Sequence, residues 1–240
     1  MKLLLMPGMD GTGELFTPLL SHLHNDIEAV VFRYPFDPRM GYPELLTFVK
    51  QQLPEDEPYV VLGESFSGPL AIQLAATSPA GLCGVILCAS FLTSPVRWVP
   101  RWAASRVSSW WFSHPFRTPL AIMFLANGAE ADSRHWIRTV LDQVPADILA
   151  ARLRAVLRVD VRPELQNVSV PIHYLQATQD RLVPASCLSI IQKLMPKVTF
   201  SQIAGPHLLL QTQPAEAARL ICAKSLSWQG TPTNLQTHAD

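Results

Sequence analysis

The sequence predicts a mostly parallel α/β sheet flanked by helices and interrupted by one helical insertion. Three observations carry that expectation. Short apolar runs without polar alternation recur along the chain, as expected of strands buried on both faces of a parallel sheet. Each run opens into a turn rich in glycine, proline or aspartate and then into an amphipathic stretch. Finally, the alternation stops between Phe91 and about Leu165 and resumes afterwards.

Taken in order, Lys2 to Met6 is the first strand, delivering the chain into Pro7-Gly8-Met9-Asp10-Gly11-Thr12-Gly13. Three glycines in that loop imply unusual backbone dihedrals. A helix is expected over Glu14 to Leu23, a strand over Ala29 to Phe32, and a helix from Tyr42 to Leu53. A strand at Val60, a helix from Phe66 and a strand from Gly84 to Ala89 follow. After the insertion come a strand at Val170 to Ala177, a helix from Ala185 to Leu194, a strand at Val198 to Ile203 and a helix from Pro214 to Leu226. This divides the chain into a core (1–90 and 166–228), a helical cap (91–165) and a flexible tail (229–240) rich in Thr, Gln and Asn.

Composition bounds the function. With 240 residues, 48% hydrophobic and 16% charged, the chain can bury a substantial core, and a formal net charge of zero gives no global footprint for nucleic acid. Cys83, Cys88, Cys187 and Cys222 lack metal-ligand spacing, and buried free thiols suit a reducing, cytoplasmic location. The apolar run at the N-terminus is too short for a signal peptide, and no stretch is long enough to span a membrane.

The most informative stretch is Val60 to Ala75. Val60, Val61 and Leu62 are strand-like, Pro69 suits a first helical turn, and Ser65 falls between them on a sharp strand-to-helix turn that would lift its hydroxyl above the sheet. Such a nucleophile elbow wants glycine two residues to either side. Gly63 fits; Ser67 does not, although it is small and Gly68 follows. An ordinary glycine-rich loop would read the same way, so partners are needed elsewhere.

Asp180 and His207 supply them. Each follows a later strand, as Ser65 follows its own, so all three are placed at carboxyl ends of strands, where open α/β sheets bind ligands. A serine hydroxyl is a poor nucleophile without a base. His207 would take its proton, and Asp180 would orient the imidazole and stabilise the imidazolium. Singly, Asp180 reads equally well as a turn cap and His207 as a loop histidine.

With Gly-Glu-Ser-Phe-Ser-Gly, Gln179-Asp180-Arg181-Leu182-Val183-Pro184 and Gly205-Pro206-His207 in that order, the chain resembles the α/β-hydrolases over nearly its whole length. Pro7-Gly8-Met9 stands where that family usually has His-Gly-X. The resemblance implies a Ser65-His207-Asp180 triad and an oxyanion hole from the backbone amides of Met9 and Phe66, with no metal or organic cofactor. The length of the insertion and Leu165-Gln166-Asn167-Val168-Ser169-Val170-Pro171 are similar to pimeloyl-[acyl-carrier-protein] methyl ester esterases. Pro7 to Gly13 is also similar to acyltransferase-like relatives. An ester hydrolase is expected; a thioesterase or acyltransferase with the same triad, and a non-catalytic ligand binder, stay open.

The insertion carries two further features. It holds Trp98, Trp102, Trp110, Trp111 and Trp136, aromatics suited either to lining an apolar cleft or to ordinary packing. It also holds ten arginines, no lysine and six acids, so it is the positive end of a neutral chain. Arg134 and Arg138, and likewise Arg154 and Arg158, are four apart and would share helix faces. The esterase resemblance implies an acidic acyl carrier protein as their partner, against the alternative of a solvated face in which Asp142 neutralises Arg138.

Overall fold

The computed structural model describes residues 1–229 other than 56, 97–98, 114–122 and 124. Trp98 and the tail from residue 230 lie outside the described residues. Among the described residues, six strands form one parallel sheet: β1 (Lys2–Met6), β2 (Glu28–Val31), β3 (Tyr59–Glu64), β4 (Leu82–Cys88), β5 (Ile172–Ala177) and β6 (Thr199–Ile203), in the order β2-β1-β3-β4-β5-β6. Every pairing is parallel.

Strand position in the sheet follows side-chain polarity. β3, β4 and β5 are buried along their whole length and largely apolar, apart from Glu64 at the end of β3 and His173 and Gln176 on β5. The two outermost strands are the polar ones: Glu28 and Thr199 to Gln202 reach water because an edge strand needs covering on fewer sides.

Successive residues within a strand serve opposite layers. Leu3, Leu5, Val60 and Leu62 pack beneath Leu19 of α1 (Thr17–Leu20) and Ala217, Ala218 and Ile221 of α9 (Pro214–Ser227). Leu4, Met6, Val61 and Val85 pack on the other face against α2 (Tyr42–Lys50), α3 (Ser67–Ala75) and α7 (Ser186–Leu194). Each fully buried leucine or valine stabilises the fold by roughly 1.5–3 kcal/mol. Gly84 leaves room for the Trp228 ring, which occupies the space where a β-carbon would stand. The four cysteines are buried and none forms a disulfide among the described residues.

Two helices are shorter than the periodicity predicts. The expected helix over 14–23 is a 3-10 turn (Glu14–Phe16) followed by α1, because Pro18 has no amide hydrogen to donate to Glu14 and so begins a new helix. The helix from Tyr42 ends at Lys50 rather than Leu53.

Between β4 and β5 the described residues form 3-10 turns at Arg101–Arg106 and Ser109–Phe112 and helices α4 (Ala131–Asp142), α5 (Ala146–Arg158) and α6 (Arg162–Leu165). One isolated antiparallel bridge, Thr93 to Asp160, ties the beginning of the segment to its end. Between β6 and α9, α8 (Leu209–Thr212) is a single turn just beyond His207. No described helix is long and apolar enough to cross a membrane.

Candidate active site

The site forms where β3, β5 and β6 end. Ser65 leaves β3 at φ 48°, a left-handed conformation that a side chain rarely adopts, which costs on the order of 1–3 kcal/mol. The surroundings impose it. Its amide donates to the carbonyl of Cys88 (2.8 Å), and its carbonyl accepts from the Ser90 hydroxyl (2.6 Å) and the Gly68 amide (3.1 Å). A β-carbon at Gly68 would overlap the Ser90 side chain, and one at Gly63 would crowd the Ser67 carbonyl, so both glycines are sites of close approach.

Asp180 and His207 meet Ser65 there. Gln179 donates from its amide to the Gly205 carbonyl (2.9 Å), which draws the loop after β5 alongside the loop after β6. Asp180 Oδ1 accepts the Leu182 and Val183 amides (2.8 and 2.9 Å), leaving Oδ2 for His207 Nδ1 at 2.7 Å. A carboxylate can only accept here, so Nδ1 carries the proton and Nε2 is free to accept from the Ser65 hydroxyl at 2.8 Å. Both partner side chains are 4% exposed, while Ser65 is half-buried.

Met9 and Phe66 line the same cavity as Ser65 and His207. Among the described residues neither of their amides donates to a protein acceptor. Two unused donors beside a hydroxyl suit a developing oxyanion. Phe66 is fixed by stacking on Tyr42 (centroids 4.9 Å apart, 18° between planes), whose hydroxyl donates to the Phe66 carbonyl.

The cavity encloses about 410 Å³ and is strongly apolar. Phe66, Phe91, Trp111 and Phe112 line it together with aliphatic residues that include Val96, Leu149, Leu153, Val156 and Leu182. Trp111 reaches the lining, but Trp102 and Trp110 are exposed and Trp136 packs partly buried beside Ile137 and Val140. Of the two readings open for these tryptophans, Trp111 follows the cleft and Trp136 ordinary packing; periodicity cannot say which side of a short 3-10 turn faces inward.

The arginine pairs lie apart from the triad. Arg134 and Arg138 are exposed on α4, with Arg138 paired to Asp142 at 3.5 Å. Arg158 is exposed on α5, whereas Arg154 is partly buried and donates to the Val107 carbonyl (3.0 Å). Arg154 and Arg158 border a second cavity that also includes Arg39.

Sequence reasoning missed a buried polar layer beneath the site. Glu64, 2% exposed, accepts from Gln211 Nε2 (2.9 Å) and from the Gly8 amide. Burial, reinforced by nearby Asp10, raises its pKa to about 7 against the opposing pull of the Gln211 hydrogen bond. Arg152, 3% exposed, reaches from α5 to the loop after β1. A signal for both was present: Glu64 ends an apolar strand, and Arg152 sits three residues from Leu149 and four from Val156 on the apolar face of its helix.

Known proteins resemble this chain in sequence and in fold. A stretch of 185 residues is 30% identical to the biotin biosynthesis bifunctional protein BioHC of Cellvibrio japonicus, covering 72% of this chain and 36% of that protein. The chain thus spans about a third of that relative's length. The fold is similar to a hydrolase from Oleispira antarctica (11% identity, 95% of this chain and 91% of that one, TM-score 0.78) and a thermophilic esterase from Thermogutta terrifontis (18%, 93% and 89%, 0.74). It is also similar to the enol-lactonase of Burkholderia xenovorans (17%, 95% and 90%, 0.72). Residues 3–220 match the alpha/beta hydrolase family, and the chain belongs to it.

Proposed function

We propose that this chain is a carboxylic ester hydrolase that works through an acyl-enzyme on Ser65. The observation that carries the reading is the continuous hydrogen-bonded line Ser65-His207-Asp180 at the floor of an apolar cavity, beside two amides with no other acceptor among the described residues. His207 Nε2 takes the Ser65 proton as Oγ bonds to the ester carbonyl carbon. The Met9 and Phe66 amides hold the oxygen that becomes negative. As the tetrahedral centre collapses, the carbon–alkoxy bond breaks and His207 returns its proton to the departing alkoxide. Water then attacks the acyl-enzyme through the same base, releasing the acid and restoring Ser65.

The apolar lining favours an uncharged aliphatic acyl or alkyl group in the cavity. The similarity to pimeloyl-[acyl-carrier-protein] methyl ester esterases, with a 30% identical relative named for biotin biosynthesis, favours a carrier-linked methyl ester and an acidic carrier docking on Arg134, Arg138, Arg154 and Arg158. The segment 91–165 is then a cap over the site, and 1–90 with 166–228 the catalytic core.

The test is a panel of p-nitrophenyl esters of graded chain length together with acyl thioesters, run on the wild type and on Ser65→Ala. Wild-type turnover is expected to fall by up to about a million-fold in the variant, with the acyl group found on Ser65 by mass spectrometry after brief mixing. Near-normal ester turnover by pure Ser65→Ala would refute the assignment. A strong preference for thioesters, or transfer to an alcohol in place of water, would move the activity to the thioesterase or acyltransferase alternative. No turnover of any acyl compound would leave a ligand binder.

A further inference from the structure

We infer that Arg152 is a positioning residue that sets the oxyanion loop from the β4–β5 segment. Its guanidinium donates through Nη1 to the carbonyls of Met9 (3.0 Å) and Asp10 (2.6 Å) and through Nη2 to the carbonyl of Pro35 (3.3 Å). The inference rests on the esterase reading, because Met9 matters only if its amide meets an oxyanion.

The arrangement is costly unless the contacts are kept. A buried guanidinium strongly favours a close carboxylate partner, yet among the described residues none lies within ion-pair distance of Arg152. Asp10 acts on it only as a nearby charge. The three carbonyl oxygens therefore take the place of an anion, and the planar fork lets Nη1 hold two adjacent carbonyls of the loop while Nη2 reaches Pro35. The rings of buried Tyr34 and exposed Phe36 have centroids 5.8 and 5.9 Å from the guanidinium carbon. Position 11 is shaped around it as well: a β-carbon on Gly11 would overlap the guanidinium.

Other restraints on the loop come from the core. Ser67 holds the Pro7 carbonyl, Glu64 the Gly8 amide, and the Gly11 carbonyl receives the Tyr34 amide (2.8 Å). Arg152 alone among these restraints comes from the β4–β5 segment, and it acts on the carbonyls that directly follow the Met9 amide. The helix that carries it also presents Leu149, Leu153 and Val156 to the cavity wall. One helix thus both lines the cavity and holds the loop, so substrates that fill the cavity should be turned over faster and not merely bound more tightly.

Arg152→Met keeps length and apolar stem and removes every donor. With an ester that fits the cavity, its kcat is expected to fall roughly tenfold to a hundredfold, while KM changes less than about threefold. Inactivation of Ser65 by a p-nitrophenyl phosphonate, whose reaction places negative charge in the hole, should slow in parallel. Arg152→Lys, which retains one point donor, should recover part of kcat, and it serves as the deciding variant should Arg152→Met fail to fold. Either folded variant with wild-type kcat and wild-type phosphonate reactivity, whatever its melting temperature, would overturn the inference and leave Arg152 a tie between segment and core. If the wild-type ester turnover survives Ser65→Ala, the esterase reading itself has failed, an outcome separate from either result with Arg152.

Discussion

The Ser67 hydroxyl donates to the carbonyl of Pro7, joining the two positions at which this chain departs from its family's motifs. Serine stands where the elbow usually has glycine, and proline where the oxyanion loop usually has histidine. Since Ser67 has one proton and spends it on Pro7, the Tyr34 hydroxyl, 2.6 Å away, must be the donor to Ser67. The result is a buried line from Tyr34 through Ser67 to Pro7 that fastens the elbow to the loop bearing Met9.

Ser67→Ala should therefore be worse than its one missing atom suggests. It strands a buried carbonyl and a buried phenol, a loss of about 1–3 kcal/mol, and it should lower kcat by loosening the loop. Tyr34→Phe should cost less, because the Ser67–Pro7 bond survives it. Urea denaturation of the two single variants and the double variant checks this: strictly additive losses would show that the three groups do not act as a line.

Glu64 gives the protein a destabilising response to alkali. An unfolded glutamate loses its proton near pH 4.3, whereas buried Glu64 keeps its own to about 7. Between those values the folded state holds the extra proton, so stability falls as pH rises through the window. Glu64→Gln should flatten that slope and be relatively most stabilising above pH 7. A denaturation midpoint with the same pH dependence in both proteins would argue against a protonated Glu64.

His173 works in the opposite sense. It is buried on β5 between Thr199 (2.7 Å) and Ser201 (3.1 Å), and burial, with the charge of Lys224, lowers its pKa to about 4. An unfolded histidine takes up a proton near pH 6.5. The unfolded chain then binds more protons than the folded one between about 6.5 and 4, and stability is lost as pH falls through that range. In His173→Gln the acid-side loss should shrink, measurable as a shallower decline of the urea midpoint from pH 6.5 to 4.

Carrier docking separates by salt and by substrate. Arg134→Glu with Arg158→Glu changes two exposed charges and leaves the Arg154 bond to Val107 intact. Turnover of a carrier-bound methyl ester should drop severalfold or more at low ionic strength and less at high salt, with small free esters unaffected. Equal turnover of the carrier-bound ester by both proteins would dismiss the docking surface.

Local sequence determined much of this protein. Continuous apolar runs opening into turns point to strands buried on both faces, and they mark where Ser65, Asp180 and His207 leave those strands at their carboxyl ends. It also exposed Pro7 and Ser67 as departures from pattern. Tertiary structure decided what periodicity cannot see. That the two departures touch, that Arg152 crosses from α5 to the Met9 carbonyl, that Glu64 lies under Gly8, and that Trp102 and Trp110 face outward while leucine and valine line the cavity all depend on how helices seat on the sheet. A helix carries its periodicity in its own residues, but the partner of a buried charge is chosen by the packing of segments distant in sequence, where the cost of leaving that charge unmatched admits few arrangements.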